Sequence, residues 1–245
     1  VKYKDGASFG SFRTDPIPVQ VKNTTQQMWM RGRGNFNAVV YDLMTNYGLS
    51  AATEVILTGG SAGGLATFYN LDHLASLLPA TARLVGFPDA GFFVDGQNYL
   101  TGAYNYRLAF QGADPTWNVT GSGGTNKACL AANAAEPWRC LLAQYITPHL
   151  KTPLFVMNSR YDAYQLPNIA GIRCVPTPTT PCSANETAGI ATYGDEFNAV
   201  LKAAIADLPN AGAFTASCWV HEENVGYCST QGVPNCVGWT PESAS

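Results

Sequence analysis

The sequence has few charged side chains and no long apolar run. Only 13% of its 245 residues are charged, and the net charge is −3. This balance argues against nucleic acid or an anionic membrane surface as the main partner. No apolar stretch approaches the roughly 20 residues that span a bilayer, so we expect no integral membrane segment. The opening residues also lack the hydrophobic region of a secretory signal peptide, which predicts a mature form, a fragment or a cytosolic protein.

Cysteine is missing from the first 128 residues, and seven cysteines follow. None has the C-x-x-C spacing of a zinc site, so we expect no metal. Cys174 and Cys182 bracket a Pro/Thr-rich segment that a disulfide would clamp, and Cys129 with Cys140 is a second plausible local pair. These pairs favour an extracellular protein over one with seven reduced thiols in the cytosol. Three N-x-T sequons fit secretion as well: Asn23, Asn118 and Asn185.

The alternation of short apolar runs with amphipathic stretches predicts an α/β fold with a mostly parallel sheet flanked by helices. We expect one domain over residues 1–245, because the loops at 121–126 and 175–181 are too short for interdomain linkers. The predicted strands are residues 54–58, 83–87, 154–158 and 214–220. The predicted helices are residues 36–47, 63–78, 127–145 and 195–208.

The most informative segment is a G-x-S-x-G motif centred on Ser61, between a predicted strand and a predicted helix. In that context the motif is typical of a nucleophile elbow, with small residues required at Gly59 and Gly63. The amide of Ala62 would then donate to the oxyanion that forms during acyl transfer. A glycine-rich anion-binding turn and a plain loop are the alternatives. The segment lacks the Lys-Ser/Thr ending of a P-loop.

A serine nucleophile needs a base, and the chain has three histidines. His73 falls inside the predicted helix after Ser61, so it points away from the elbow. His149 comes before the strand at residues 154–158 and any acid that follows it, so it breaks the order serine, acid, histidine. His221 follows the last predicted strand, so the order serine, acid, histidine selects it as the base. For the acid, Asp162 ends a strand between Ser61 and His221.

Two other carboxylates are rivals for the acid position. Asp89 also ends a predicted strand, and Asp95 follows it closely. Both come early for the usual acid position, so a structural role is the alternative for each. The predicted catalytic residues are therefore Ser61, Asp162 and His221, with no metal and no organic cofactor.

Several segments, in order along the chain, make the sequence resemble the pectin acetylesterase/Notum family of serine esterases. They lie at residues 1–9, 30–32, 57–66, 78–83, 88–95, 153–165 and 217–221. The resemblance implies the same three residues, Ser61, Asp162 and His221, and a place for Phe93 in the acyl pocket, although Phe93 could equally be ordinary core. It implies an extracellular, cell-wall esterase that removes O-acetyl groups from pectin or a related acidic polysaccharide. Removal of a fatty acyl group from protein, as in the animal members, is the alternative.

The sequence also departs from that family pattern. Lys4 stands where the family usually has cysteine, and Glu222 where plant members often have cysteine. The resemblance implies further strands and oxyanion amides upstream of Val1, so we expect a domain truncated at both ends, and an inactive secreted binding protein is a further alternative. We expect a monomer. A basic patch for polygalacturonate would have to come from scattered arginines: Arg31, Arg33, Arg107 and Arg160.

Overall fold

The computed structural model of the chain describes residues 5–175 and 181–222. The strands in this part are β1 (Ile17–Val21), β2 (Thr24–Met28), β3 (Glu54–Gly60), β4 (Arg83–Asp89), β5 (Leu154–Ser159) and β6 (Ala211–Ala216). The α-helices are α1 (Gly32–Asn46), α2 (Ala62–Leu77), α3 (Asn105–Trp117), α4 (Lys127–Ala132), α5 (Ala143–Ile146) and α6 (Ala184–Ile205). Shorter helical segments are three 3₁₀ turns, Leu49–Ala51, Pro137–Leu141 and Thr147–His149, and a π-helical turn, Leu166–Ala170.

The central sheet has the strand order β3-β4-β5-β6, and all its strand pairs are parallel, which confirms the predicted fold class. Gly60 at the end of β3 lies opposite Asp89 of β4, and Ser159 at the end of β5 lies opposite Ala216 of β6. The carboxyl ends of the strands therefore share one edge. Ligands of open α/β sheets bind outside this edge, so the loops that leave it are the place to look for a site.

Buried aromatic side chains hold the helices against this sheet. Phe92, just after β4, makes edge-on contacts with Phe68 of α2 and Phe197 of α6 at ring distances of 6.0 and 5.8 Å. All three side chains are fully buried. Such edge-to-face pairs add to the burial of their apolar area, and here they connect the helices to the segment that follows β4.

Some elements differ from the sequence prediction. The helix predicted over 127–145 is broken into α4, a 3₁₀ turn and α5, because Pro137 lacks the N–H that a continuous helix needs. Helix α6 begins at Ala184, well before the predicted residue 195. The hairpin β1–β2 and helix α3 were not predicted. The last strand lies at 211–216 rather than 214–220.

Two disulfides join cysteines that the sequence pattern paired. Cys129 is bonded to Cys140, and Cys174 is bonded to Cys182. Cys218 has no disulfide partner among the described residues, and Cys228 and Cys236 lie outside them. Across the described part, each helix is too short or too polar to cross a membrane.

Candidate active site

Ser61 occupies a sharp turn between β3 and α2. Its backbone has φ 54° and ψ −118°, a conformation that non-glycine residues rarely adopt and that strains the chain. Its N–H donates to the carbonyl of Asp89 at 2.9 Å, and its own carbonyl accepts the N–H of Leu65 at 2.9 Å. These two bonds fix the turn between the sheet and the first turn of the helix.

The glycines around Ser61 have different reasons to be small. A Cβ on Gly59 would lie 2.6 Å from the carbonyl carbon of Gly63, so Gly59 is sterically required. A Cβ on Gly63 itself would have no atom within 4 Å, so the expectation that both positions need glycine for space holds only for Gly59. Gly64 was not singled out from the sequence. A Cβ there would lie 2.6 Å from the carbonyl oxygen of Asp89 and 2.8 Å from the Cα of Gly91, so α2 approaches the end of β4 closely.

The structure brings Ser61, Asp162 and His221 into one hydrogen-bonded chain. His221 Nε2 lies 2.7 Å from Ser61 Oγ, and His221 Nδ1 lies 3.0 Å from each carboxylate oxygen of Asp162. Ser61 follows β3, Asp162 follows β5 and His221 follows β6, so the shared carboxyl edge of the sheet positions all three. With Nδ1 donating to the carboxylate, Nε2 is free to accept the serine proton.

Asp162 is held in place by backbone and side-chain donors. Its carboxylate is completely buried, and Oδ1 accepts the N–H groups of Tyr164 at 2.8 Å and Gln165 at 2.9 Å. Oδ2 accepts the side-chain amide of Asn158 at 3.3 Å. A buried charge is costly unless such donors surround it, so these contacts keep the carboxylate aimed at His221.

The pKa of His221 is the result of opposing effects. Burial lowers this pKa, while the hydrogen bond and the negative charge of Asp162 raise it, with smaller contributions from Glu222 and Asp89. The carboxylate prevails, and the net pKa is raised above the ordinary value. A raised pKa suits a base that must hold the serine proton while a negatively charged intermediate forms.

The rival acids and histidines have other contacts. Asp95 accepts three short contacts from the guanidinium of Arg107 and a hydrogen bond from the hydroxyl of Tyr145 at 2.7 Å. The backbone carbonyl of Asp89 accepts the N–H of Ser61. His73 Nε2 lies 2.7 Å from the side-chain oxygen of Asn37, far along α2 from the serine. The order rule and the geometry therefore select the same three residues.

Ala62 is the first residue of α2, directly after Ser61. The first N–H groups of a helix have no partner within the helix, and they form the positive end of its dipole. The amide of Ala62 is therefore placed where an oxyanion on an acyl group bound to Ser61 could be stabilised.

An aromatic cavity of about 390 Å³ opens beside Ser61 and Ala62. Phe93, named from the sequence, is part of its wall, and its ring lies 6.3 Å from the ring of His221. Tyr164 and Tyr106 belong to the same wall, and Tyr164 lies 5.3 Å from His221 at a tilt of 31°. Sequence reasoning missed both tyrosines. The position of Tyr164, two residues after the acid, was the available signal.

A larger groove of about 670 Å³ runs along β3 and also reaches Ser61. Apolar side chains of α1 and β3 line most of it, and Glu222 is its one acidic lining residue among those described. Glu222 has φ 70°, and its Oε1 would lie 2.7 Å from a Cβ on Gly60. A side chain at position 60 would therefore displace the side chain of Glu222, the residue that directly follows His221.

The four arginines suggested for a basic patch lie in separate environments. Arg107 is paired with Asp95 and lies over the Tyr104 ring, and Arg31 lies over the Trp29 ring. Arg160 stacks on Tyr161, and the side chain of Arg33 is largely buried. They do not form one patch at the site.

A serine at a strand-to-helix elbow, followed by an acid after β5 and a histidine after β6, is the arrangement of the α/β-hydrolase class of serine hydrolases. The sequence profile of the pectinacetylesterases matches residues 1–242. The chain belongs to the pectinacetylesterase family.

Named relatives agree with this assignment. Pectin acetylesterase 11 of Arabidopsis thaliana is 30% identical over 232 residues, and pectin acetylesterase 7 of the same plant is 28% identical over 235 residues. Each alignment covers 90% of this chain and 56% of the relative. The palmitoleoyl-protein carboxylesterase NOTUM of Drosophila melanogaster is 27% identical, over 90% of this chain and 31% of its own. The chain therefore spans little more than half the length of the plant relatives.

Among solved structures, a crystal structure of the Wnt deacylase Notum from Drosophila superimposes with a TM-score of 0.68 at 26% identity. The superposition covers 89% of this chain and 58% of that one. The similarity extends the α/β-hydrolase assignment from the strand order to the whole described architecture.

Proposed function

We propose that the chain is a serine carboxylic-ester hydrolase that removes O-acetyl groups from pectin or a related cell-wall polysaccharide. The observation that carries the proposal is the continuous hydrogen-bonded chain from Ser61 Oγ through His221 to the buried carboxylate of Asp162. Membership of the pectinacetylesterase family supports the choice of ester chemistry.

The reaction would run in two steps through an acyl-enzyme. His221 Nε2 takes the proton of Ser61 as Oγ attacks the ester carbonyl carbon, and the N–H of Ala62 donates to the oxygen that becomes negative. The tetrahedral intermediate collapses, and the sugar oxygen leaves with the proton that His221 returns. Water then attacks the acetyl-serine with His221 again as base, which releases acetate and restores the serine hydroxyl.

The similarity to plant relatives that are named pectin acetylesterases supports acetyl as the acyl group. Tyr164 and Phe93 lie against His221 and narrow the cavity next to the serine. An extracellular location, in the cell wall, is supported by the two disulfides, because such bonds persist in oxidising compartments.

The cavity volume favours a second candidate, removal of a longer acyl group from protein. About 390 Å³ lies within the range of cavities that enclose whole small-molecule ligands and exceeds what one acetyl group needs. Leu65, Phe110 and Trp117 add apolar surface to its wall. The Drosophila relative is named a palmitoleoyl-protein carboxylesterase, which is this chemistry.

The test is to measure acid released from acetylated pectin, a short-chain aryl ester and a long-chain aryl ester by the chain and by its Ser61→Ala variant. Ser50→Ala, at an exposed serine in the 3₁₀ turn Leu49–Ala51, is the matched control. We expect acetate from pectin that is lost in Ser61→Ala and retained in Ser50→Ala. Serine-dependent release from the long-chain ester alone would move the assignment to the second candidate. No serine-dependent release from any ester would contradict the enzyme and favour a binding protein.

A further inference from the structure

A polar cavity of about 320 Å³ lies beside the middle of α2, apart from the serine. Its walls come from the start of α1, from α2, from residues 123–128 and from the segment before β5. Asp72 and Ser76 line it, 11 and 15 residues after Ser61, which places them roughly 16–22 Å away along the helix axis. Of the residues that the structure describes, only Tyr69 lines both this cavity and the aromatic cavity described above.

The walls of this cavity carry more positive than negative charge. Arg33, Lys127 and Lys151 line it, against the single carboxylate of Asp72. Among the residues that the structure describes, none of these three cations has a carboxylate within 4 Å. Within residues 5–175 and 181–222, the excess charge is therefore not neutralised by ion pairs.

Asp72 is occupied by uncharged donors. Its oxygens accept the N–H groups of Lys151 and Thr152, the hydroxyl of Thr152 and the side-chain amide of Asn126, all at 2.9–3.2 Å. This carboxylate joins α2 to the segment before β5. Its lone pairs are used in that junction, so few remain to accept hydrogen bonds from the cations.

Arg33 has donors without acceptors. Its Nη2 reaches the carbonyl of Tyr69 at 3.4 Å, while Nε and Nη1 are buried and have no hydrogen-bond partner among the described residues. Burial lowers the pKa of Arg33 to about 10. A guanidinium charge that is largely removed from water and has no carboxylate within 4 Å among the described residues is costly, and the negative charge of an anion in the cavity would offset that cost.

His73, on the same wall, is affected by the same field. Burial, and then the charges of Arg33 and Lys127, lower the pKa of His73 to about 4. The part of this shift that comes from Arg33 and Lys127 reflects a positive field at this wall, and such a field would favour an anion.

We propose that this cavity binds an oxyanion, with the carboxylate of a uronate sugar and free inorganic phosphate as the two sources of that chemistry. The guanidinium of Arg33 suits the planar or tetrahedral oxygens of such groups, and Lys127 and Lys151 supply point charges around it. The volume of the cavity leaves room for a ligand of about one sugar ring, and the hydroxyl-bearing side chain of Ser76 is part of its wall.

The proposal does not depend on the chemistry at Ser61, and it is tested by binding alone. Isothermal titration calorimetry on the whole chain would compare inorganic phosphate, galacturonate and neutral galactose. The double variant Lys127→Gln/Lys151→Gln tests the walls, and Lys202→Gln, an exposed lysine of α6, is the matched control. We expect an anion to bind, and the double variant to weaken that binding by about tenfold while Lys202→Gln leaves it unchanged.

Each result decides the matter. Binding of galacturonate but not of galactose assigns the site to a sugar acid, and binding of phosphate alone assigns it to a free anion. The proposal is overturned if neither anion binds at millimolar concentration, if galactose binds as well as galacturonate, or if the double variant binds like the parent. Arg33→Met provides a second test, because loss of the anion-dependent rise in Tm can be read even where that variant is less stable. Anion binding is measured without any ester substrate, so a failure of the proposed function leaves this test intact.

Discussion

At the scale of single residues, the turn at Ser61 combines strain with close backbone contact. The φ of 54° costs on the order of 1–3 kcal/mol, which the fold tolerates because the turn exposes the hydroxyl to His221. Hydrogen bonds to Asp89 and Leu65 hold the turn, and the backbone of Gly63 approaches that of Gly59. Gly59 and Gly63, the two glycines of the motif, therefore contribute unequally to the close backbone packing of the turn.

We expect Gly59→Ala and Gly63→Ala to differ. The methyl group of Gly59→Ala would overlap the backbone of Gly63, so it should destabilise the chain by about 1–3 kcal/mol and abolish ester hydrolysis. Gly63→Ala meets open space inside a helix, so it should retain activity and change stability by about +0.5–1 kcal/mol. Thermal unfolding and ester hydrolysis of both variants check this, and equal loss in both would refute the asymmetry.

The raised pKa of His221 predicts how activity depends on pH. The base must be neutral, so kcat/KM should rise as pH increases through the raised pKa of His221. Stability runs the other way. A group whose pKa is higher in the folded state stabilises it fully below the unfolded pKa and loses this contribution as pH rises through the folded pKa.

Asp162→Asn isolates the cause of that pH dependence. The variant removes the charge that raises the pKa of His221 and leaves the burial that lowers it. The acidic limb of the residual activity should therefore move to lower pH, and kcat should fall by about 10⁴-fold because asparagine holds the imidazole in the wrong tautomer to accept the serine proton. A pH–rate profile of the variant tests this, and an acidic limb in the parent's position would show that Asp162 does not set the pKa.

At the scale of elements, the strands were predicted better than the helices. β3, β4 and β5 follow from short runs of apolar residues, because strands of a buried parallel sheet are apolar throughout. Helix α3 was missed because it contains Pro115 and has a mostly exposed surface, and the β1–β2 hairpin because its strands are polar and exposed. These segments form through contacts with the rest of the protein, which no local pattern displays.

The early start of α6 has a local cause. Ser183 Oγ accepts the N–H of Glu186 at 3.3 Å, and Glu186 Oε2 accepts the N–H of Ser183 at 3.1 Å, which together form a capping box. The Ser-x-x-Glu pattern in the sequence predicts a helix start at this position.

Ser183→Ala should therefore destabilise the chain by about 0.5–2 kcal/mol, with the loss measured by chemical denaturation. Thr192→Ala, at an exposed position inside the same helix, is the control and should be neutral or slightly stabilising, because alanine has the higher helix propensity. If the two variants were equally stable, the box would have no part in holding the start of the helix.

At the scale of the whole molecule, the groove along β3 opposes the expectation of a monomer. In the described part of the chain, β3 has a paired neighbour only on the β4 side, and Ile56 is 69% exposed. Parallel strands are ordinarily covered on both faces, and an exposed apolar edge is a site of association.

We expect the chain to self-associate at high concentration and Ile56→Lys to reduce that association without lowering the Tm. Leu100→Lys, at a residue that is 77% exposed elsewhere, should leave association unchanged. Light scattering over a concentration series measures both. A parent chain that stays monomeric throughout would restore the original expectation.

The candidate site could be predicted from the sequence because the order of its three residues along the chain is constrained. The residues that surround it could not be predicted in this way. The order of Ser61, Asp162 and His221 follows the strands that carry them, so a motif and a rule of order were sufficient. Tyr106 comes from α3, which was not predicted, and the cations Arg33, Lys127 and Lys151 come from three separate segments. Such groupings exist only once the sheet has brought distant segments together.

The separation of Ser61 from His221, 160 residues along the chain, has a consequence for refolding. Contacts between such distant residues form late, because a long loop must close before they stabilise anything. A chain with a well-formed β3–α2 unit but without β5 and β6 in place would have the serine and lack both of its partners. Recovery of hydrolysis after dilution from denaturant should therefore follow the slowest step of sheet assembly, while helical circular dichroism returns earlier.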